Sequence, residues 1–284
     1  MINCYHFFIT FANNYDSNAL NETIIKAIAN NYVILKMRNM DSIRTRKTIR
    51  RYQKKDIDET LLNQLLEDAC RTQTMGNLQL YSVIVTRDEK MKKRLAPAHF
   101  NQPMVTEAPV VLTICADFRR TTDWCNQRNA LPGYDNFLSF MNAASDALLY
   151  TQTFCNLAEE AGLGICYLGT TVYMPQAIIE TLELPKLVMP VATLTVGWPD
   201  EDPQQADRLP LKGIIHDEVY RQYTPSQIDE IYGYKEELPE NKEFVRINEK
   251  ETLAQVFTDC RYTRRDNEAM SEGLLKTLKQ QGFL

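Results

Sequence analysis

The spacing of apolar residues divides most of the chain into alternating helices and strands. After a basic stretch early in the chain, apolar residues recur at the spacing of one helix face. They are Leu61, Leu62, Leu65, Leu66 and Ala69. Asp56 and Asp58 are candidate N-caps, and this helix is expected to end near Arg71. A β-branched run from Leu80 to Thr86 predicts the first strand, and a short charged helix is expected from Asp88 to Leu95.

Two strongly apolar strands and one long helix are expected at the centre of the fold. The sequences PVVLTICAD, residues 109–117, and MPVATLTVGWP, residues 189–199, are apolar enough to be strands buried on both faces. The long helix runs from Phe137 to Ala161 and is nearly apolar all round, which indicates a central buried helix. Gly162 and Gly164 follow it as a C-terminal cap.

The remaining segments are shorter or lack a period. The sequence ICYLG, residues 165–169, predicts a short strand, and MPQAIIETLEL, residues 174–184, predicts a helix. No period marks residues 117–134, where a mobile excursion is expected. The polar part after Asp200 has helical patterns around residues 226–232 and 268–281.

Composition is that of an ordinary globular protein. The chain has 284 residues, 44% hydrophobic and 24% charged, with a formal net charge of −5. The acidic balance argues against a nucleic-acid-binding protein, although a local patch could still serve. Seven scattered cysteines without a CxxC motif indicate reduced, mostly buried thiols. No transmembrane span or signal peptide is evident, so the cytoplasm is the expected location.

Metal binding is not expected from the histidines. They stand at positions 6, 99 and 216, outside any metal-ligand spacing, and each is interpreted as a packing or surface residue.

The basic stretch RTRKTIRRY, from Arg44 to Tyr52, carries the main chemical signal. It places five cationic side chains within residues 44–51 of an acidic protein. One reading is a solvated helix face. The other is an anion site, because like charges this close repel one another unless an anion lies between them. Neither a G-x-G-x-x-G fingerprint nor a Walker A loop is present, so a phosphate site would have to be built from side chains.

Five motifs together resemble the FMN-dependent nitroreductase family, more narrowly its branch of NADPH-linked, oxygen-insensitive nitroreductases and flavin reductases. They are RKTIRRY at 46–52, CADF at 115–118, AEEAGLGICYLG at 158–169, VGWPDEDPQQADRLP at 196–210 and TRRD at 263–266. The resemblance implies an α+β homodimer with a central mixed or antiparallel sheet, flanked by helices around a long buried helix. It divides the chain into an N-terminal extension (1–40), an FMN-binding core (41–199) and a C-terminal extension (200–284) that wraps onto the partner and carries the NADPH-phosphate segment.

The resemblance also implies a set of cofactor-binding residues. In the family, the positions matched by the basic stretch hold the FMN phosphate and reach the flavin edge, and later segments lie beside the ring. The FMN-binding residues carried over are Arg46, Lys47, Thr48, Arg50, Thr74, Met75, Gly76, Gln102, Tyr167, Leu168, Gly169, Thr170 and Arg208. Arg261, Arg264 and Arg265 match the segment associated with the NADPH 2′-phosphate.

The implied activity is ping-pong hydride transfer from NADPH through FMN to nitroaromatics, quinones or flavins. No acid, base, nucleophile or metal ligand is nominated, because the cofactor carries the chemistry. Several positions depart from the family pattern: Lys47 replaces an arginine, Thr170 replaces a glycine, and Ala206 replaces a lysine. The alternatives are therefore a flavin-binding protein with little turnover, or a basic patch that docks a partner. A further hypothesis is that translation starts at Met37 or Met40.

Overall fold

Four strands form the central sheet in the computed structural model, which describes residues 41–284. The strands are β1 (Tyr81–Thr86), β2 (Val110–Asp117), β3 (Gly164–Tyr167) and β4 (Val188–Gly197). Their order across the sheet is β1-β2-β4-β3, and every neighbouring pair is antiparallel. Of the two arrangements expected from the sequence, the antiparallel one is therefore present.

The chain divides into two units, Met1–Arg46 and Lys47–Leu284. The described part of the first unit is helix α1 (Asp41–Thr45) together with Arg46. Residues 1–40, with the candidate start positions, lie outside the described residues. The sheet and all further elements belong to the second unit.

The second unit contains ten further helices among the described residues, apart from short turns. Thr224, Thr252 and Thr263 cap three of them through their hydroxyl groups, as expected for N-cap residues. The helices are α2 (Glu59–Ala69), α3 (Glu89–Leu95), α4 (Met104–Glu107), α5 (Arg119–Gln127), α6 (Phe137–Glu160), α7 (Pro175–Leu182), α8 (Pro225–Glu236), α9 (Pro239–Ile247), α10 (Leu253–Val256) and α11 (Arg264–Gln281). No helix within residues 41–284 has the length and apolar character needed to cross a membrane.

Strand β2 is buried at every position because separate apolar clusters cover the two faces of the sheet. Leu112 and Ile114 point into a cluster with α2, α6 and the C-terminal Phe283. Val111 points into a second cluster with Ile49 and residues of α3, α4 and α7. The prediction of a strand buried on both faces is thus confirmed.

Helix α6 differs from its prediction in burial. It packs against β2 and α2, but part of its surface is exposed in the single chain. The exposed apolar residues are Phe137, Leu138, Met141, Leu148 and Leu149. Uniform apolarity predicted a helix buried on all sides, and this is wrong for one chain because nothing within the described residues covers that face.

Residues 117–134 also differ from their prediction, since they contain helix α5. Only Thr121 and Cys125 of this helix are buried, and they are four residues apart. Two weakly apolar positions give no visible period. The ring of Tyr134 stacks on Phe118 with centroids 4.5 Å apart, which anchors the end of the segment.

Smaller differences concern loops and the C-terminal part. The chain between α3 and β2, where no helix is predicted, contains a 3₁₀ turn, Ala96–His99, and α4. Helices α9 and α10 were not expected, and α2 ends at Ala69 rather than near Arg71. Of the two unexpected helices, α10 begins with a capping box formed by Thr252 and Gln255, whereas α9 has no side-chain cap.

Candidate functional site

The part of the basic stretch in the second unit, Lys47–Tyr52, lies beside strand β3. Thr48 forms an isolated parallel bridge with Ile165, and the Ile49 amide donates to the Ile165 carbonyl at 3.0 Å. The approach requires glycine at position 164, because a Cβ there would lie 2.7 Å from the Ile49 side chain. The segment is therefore an extended, anchored strand-like element and not a solvated helix face.

Tyr52 fixes the end of this segment in the core. Its hydroxyl lies 2.8 Å from the Ile49 carbonyl, 3.0 Å from the Thr195 carbonyl and 2.7 Å from the Thr195 Oγ1. Burial raises the pKa of Tyr52 well above its ordinary value. The phenol stays protonated and acts as a structural pin between the basic stretch and β4.

Acidic residues of the loop after β4 neutralise much of the basic stretch. Glu201 accepts from the amides of Arg50 (2.5 Å) and Arg51 (3.0 Å) and pairs with the Arg51 guanidinium at 3.1 Å. These contacts, led by the Arg50 amide, lower the pKa of Glu201. Lys47 pairs with Asp202 at 2.5 Å. The crowded positive charges were expected to require an external anion. The carboxylates of Glu201 and Asp202 supply part of that negative charge from within the protein.

Arg50 is the cation of this segment that stays available. Its side chain is exposed and makes no ion pair or hydrogen bond with any residue of 41–284, whereas its backbone amide is held by Glu201. The backbone is thus fixed while the guanidinium points to solvent. Arg46 belongs to the other unit and is half-buried.

The segment Thr74, Met75 and Gly76 starts a tight loop held by a buried carboxylate. Asp146 of α6 is fully buried and accepts from the Met75 amide at 2.7 Å and the Leu80 amide at 3.1 Å. Between these two points the backbone takes positive φ at Gly76 (58°), Asn77 (57°) and Gln79 (47°). Non-glycine residues in this conformation cluster at ligand sites. Asp146 was not identified from sequence, although an acidic residue inside an apolar helix was a usable signal.

Gln102 and Thr170 are brought together by a third residue, His99. The Gln102 amide donates to the His99 carbonyl at 3.1 Å, and His99 Nδ1 lies 2.8 Å from Thr170 Oγ1. His99 is fully buried, and burial lowers its pKa to about 4, so the ring is neutral. The Gln102 amide side chain bonds to no described residue. The packing reading of His99 is consistent with this burial, and the surface reading is not.

The end of β3 presents residues 167–170 in different ways. Tyr167 and Gly169 are exposed, whereas the Leu168 side chain is buried in the second apolar cluster. The Leu168 amide donates to the Thr193 carbonyl at 2.8 Å. Leu168 can therefore shape the site only indirectly, while Gly169 offers an open backbone.

Arg208 lies exposed in the loop after β4, and its guanidinium bonds to the carbonyls of Ala206 (3.2 Å) and Asp207 (2.8 Å). Lys235 of α8 pairs with Asp207 at 2.7 Å, which lowers the pKa of Asp207. A lysine distant in sequence thus joins the loop in which Ala206 replaces the expected lysine.

The three C-terminal arginines cluster at the start of α11. Arg264 pairs with Glu268 at 3.3 Å and Arg265 with Asp266 at 3.2 Å, and both side chains are largely exposed. The Arg261 guanidinium lies 4.7 Å from the ring centroid of Phe244. The contacts of these arginines stay within residues 244–268, so none of them joins the segments around Arg50 and Thr170.

Comparison with known proteins identifies a family and several relatives that this chain resembles. Residues 43–198 match the model of the nitroreductase family. A Bacillus subtilis protein named FMN reductase [NAD(P)H] is 32% identical over 221 residues, 74% of this chain and 85% of the relative. A Cr(VI) reductase from a Pseudomonas species is 27% identical, covering 68% of this chain and 81% of the relative.

The structural comparison agrees. The crystal structure of a candidate oxidoreductase from Bacteroides fragilis is 64% identical and superposes with a TM-score of 0.85, covering 86% of this chain and 100% of the other. The family and the fold expected from the resemblance are confirmed by these matches. This chain belongs to the nitroreductase family.

Proposed function

We propose that this protein is an FMN-dependent oxidoreductase that takes hydride from NAD(P)H and reduces small electron-poor acceptors. The observation that carries the proposal is the Arg50 guanidinium, which projects from a rigidly held backbone and has no carboxylate partner among the described residues. A guanidinium in this state suits the phosphate of FMN, because its planar donors match phosphate oxygens.

The donor set fits FMN at several points. Arg50 would hold the phosphate, with Lys47, Thr48 and Arg208 as further candidates in the same unit. Lys47 would first have to exchange its exposed partner Asp202, and an ion pair of this kind contributes only about 0–1 kcal/mol.

The segments that carry Met75, Gln102 and Gly169 would contact the flavin ring. The first is fixed by Asp146, and the second is joined to the end of β3 through His99. When bound, FMN would supply the hydride chemistry, while the protein would position the cofactor and exclude competing reactions.

The C-terminal arginines support a preference for NADPH. Arg264 and Arg265 are paired only with neighbours on their own helix, and both side chains are largely exposed. A 2′-phosphate would displace such weak pairs at little cost. Arg261, stacked on Phe244, would give the cluster a fixed member.

A homodimer completes the proposal. The exposed apolar face of α6 is joined by exposed apolar residues of the loop after β4, Leu211, Ile214, Ile215, Val219 and Tyr220. Apolar surface of this extent marks a protein interface. A second copy of the chain is the proposed occupant, and a cytoplasmic location remains the expectation from sequence.

The deciding experiment is the visible spectrum of the purified protein before and after anaerobic NADPH, with NADH as control. Yellow protein that bleaches faster with NADPH than with NADH supports the proposal and the role of the arginine cluster. Yellow protein that neither NADPH nor NADH bleaches would favour a flavin-binding protein without turnover. The Lys47–Asp202 ion pair is compatible with this alternative, because it occupies a cation proposed to bind the phosphate. Colourless protein that cannot be reconstituted with FMN would refute both.

The range of acceptors is tested with the reduced enzyme. The relatives named FMN reductase and Cr(VI) reductase suggest free flavin and chromate beside nitroaromatics and quinones. Reoxidation rates measured with one member of each class would rank them.

A further inference from the structure

One buried residue links two segments that lie 71 positions apart in the sequence. His99 ends the turn Ala96–His99 and precedes Gln102 by three positions, and Thr170 lies in the turn Gly169–Val172 that follows β3. The imidazole contacts the Thr170 hydroxyl at 2.8 Å while the His99 carbonyl accepts the Gln102 amide at 3.1 Å. The side chain and backbone of one residue therefore fix both segments.

The hydrogen-bond inventory of this pair indicates its polarity. The neutral imidazole has one N–H, and its Nε2 atom is buried without a partner among the described residues. Buried N–H donors without acceptors are rarer in proteins than buried acceptors without donors. We therefore assign the proton to Nδ1, which donates to Thr170 Oγ1.

This polarity determines what the Thr170 hydroxyl can do. The oxygen accepts from His99, and the hydroxyl proton has no acceptor in the part of the chain that the structure describes. By contrast, the hydroxyl of the next residue, Thr171, donates within the protein, to the Leu168 carbonyl at 2.9 Å. Both threonines are buried, and of the two only Thr170 has a hydroxyl proton without an acceptor among the described residues.

The backbone immediately after His99 is in a strained conformation. Phe100 (φ 55°) and Asn101 (φ 53°) are both in the left-handed region, and for a bulky residue such as phenylalanine this is unusual. Strain of this kind persists where the surroundings determine it, most often at ligand sites. The buried imidazole and the strained pair together set the position of Gln102.

We propose that His99 is a positioning residue for the cofactor, which holds Thr170 so that its hydroxyl donates to an acceptor atom on the flavin ring and sets the adjacent Gln102 in register. This inference rests on the proposed function. It assigns a purpose to the departure at position 170, because a histidine partner makes a threonine useful where the family has glycine.

The test measures FMN and riboflavin affinity of the apoprotein and the midpoint potential of the holoprotein for wild type and variants. His99→Phe keeps the ring and removes the donor, and Thr170→Val removes the hydroxyl from the other end. Each is expected to weaken both flavins about tenfold, the size of one lost hydrogen bond, and to lower the midpoint potential. The double variant should bind flavin about as tightly as either single variant, because the same hydrogen bond is lost in all three. His99→Asn, which restores an N–H donor, should recover affinity to within about threefold of wild type.

Thr171→Val is the matched control, since it removes a neighbouring buried hydroxyl that does not contact His99. It is expected to lower the melting temperature without moving the midpoint potential. If Thr171→Val shifts the potential as far as Thr170→Val, the effect is one of packing and the inference is overturned. If the wild type binds FMN, and His99→Phe and Thr170→Val both have the same FMN affinity and midpoint potential as the wild type, the inference is overturned while the proposed function stands. Failure of the wild type to bind FMN would overturn the proposed function and, with it, this inference.

Discussion

At the scale of single residues, the charge of the basic stretch is divided between structural and available cations. Arg51 and Lys47 are paired with Glu201 and Asp202, whereas within residues 41–284 Arg50 is bonded only through its backbone. Residues of one type in one short segment therefore have different tasks. The distinction rests on carboxylates about 150 positions further along the chain.

Arg50→Ala is expected to weaken FMN by about ten- to a hundredfold, because charge-assisted hydrogen bonds contribute about 1.5–3 kcal/mol. Riboflavin, which lacks the phosphate, should bind wild type and variant equally. Fluorescence titration of the apoprotein with both flavins measures the two affinities.

The neighbouring Arg51→Ala serves as the control, since that guanidinium is largely exposed and already paired with Glu201. It should leave FMN affinity within about threefold of wild type. Equal losses in both variants would show that general positive charge, rather than Arg50, holds the phosphate.

His99 predicts a specific loss of stability in acid. Burial lowers its pKa to about 4, below the ordinary value of about 6.5, so protons bind the unfolded chain more readily than the folded one. The stabilising contribution is complete above about pH 6.5 and is lost as the pH falls towards 4, by about 3 kcal/mol in total.

Urea unfolding of wild type and His99→Phe at several pH values between about 7 and about 4 measures this contribution. The stability of the wild type should fall more steeply than that of the variant. Parallel curves would mean that His99 does not titrate with folding.

At the scale of elements, helix α6 serves both the core and the candidate site. One face packs against β2 and α2, and Asp146 on the buried side fixes a loop distant in sequence. The loop has few other supports, because its residues from Met75 to Leu78 are exposed. The conformation of this loop is therefore determined mainly from α6.

Asp146→Asn should lower the free energy of unfolding by about 1–3 kcal/mol, because the amide presents a donor to a buried backbone N–H. Hydrogen exchange at the amides of Met75 and Leu80 should accelerate more than exchange in β2. Asp68→Asn on α2 is the control, since Asp68 is exposed and its carboxylate accepts, among the described residues, only from the Gln64 side chain. A change within about 0.5 kcal/mol is expected there. Unchanged exchange at Met75 in Asp146→Asn would contradict the anchoring role.

At the scale of the whole molecule, exposed apolar surface gathers on α6 and on the loop after β4. Isolated exposed apolar residues are ordinary, but a stripe along one helix and a run of exposed apolar residues in one loop indicate an interface. The proposed homodimer would cover both.

Leu138→Glu is expected to convert a dimer into a monomer, because it would place a carboxylate in an apolar interface. Light scattering coupled to size-exclusion chromatography gives the mass directly. Leu131→Glu is the matched control, since Leu131 is 98% exposed and lies outside α6. A wild-type monomer, or a Leu138→Glu dimer of unchanged stability, would refute this interface.

The sequence by itself determined the local elements and the family. Strands β1, β2 and β4, the long helix α6 and the cap of α2 by Asp58 follow from apolar periodicity and from capping chemistry, which depend on neighbouring residues. The five motifs together indicated the nitroreductase family, and the family match and the fold confirm it. Helix α5 was missed because a helix with two buried positions has almost no period.

Only the tertiary structure decided which polar groups meet. Glu201 reaches Arg51 across 150 positions, Asp146 reaches Met75 across 71, and His99 reaches Thr170 across 71. Nothing in the local sequence of either partner specifies such a pair, since it forms only when packing of the sheet and helices brings the two segments together. For the same reason the sequence could nominate Arg50 among five cations, but could not show that Glu201 holds its backbone while its guanidinium makes no ion pair within residues 41–284.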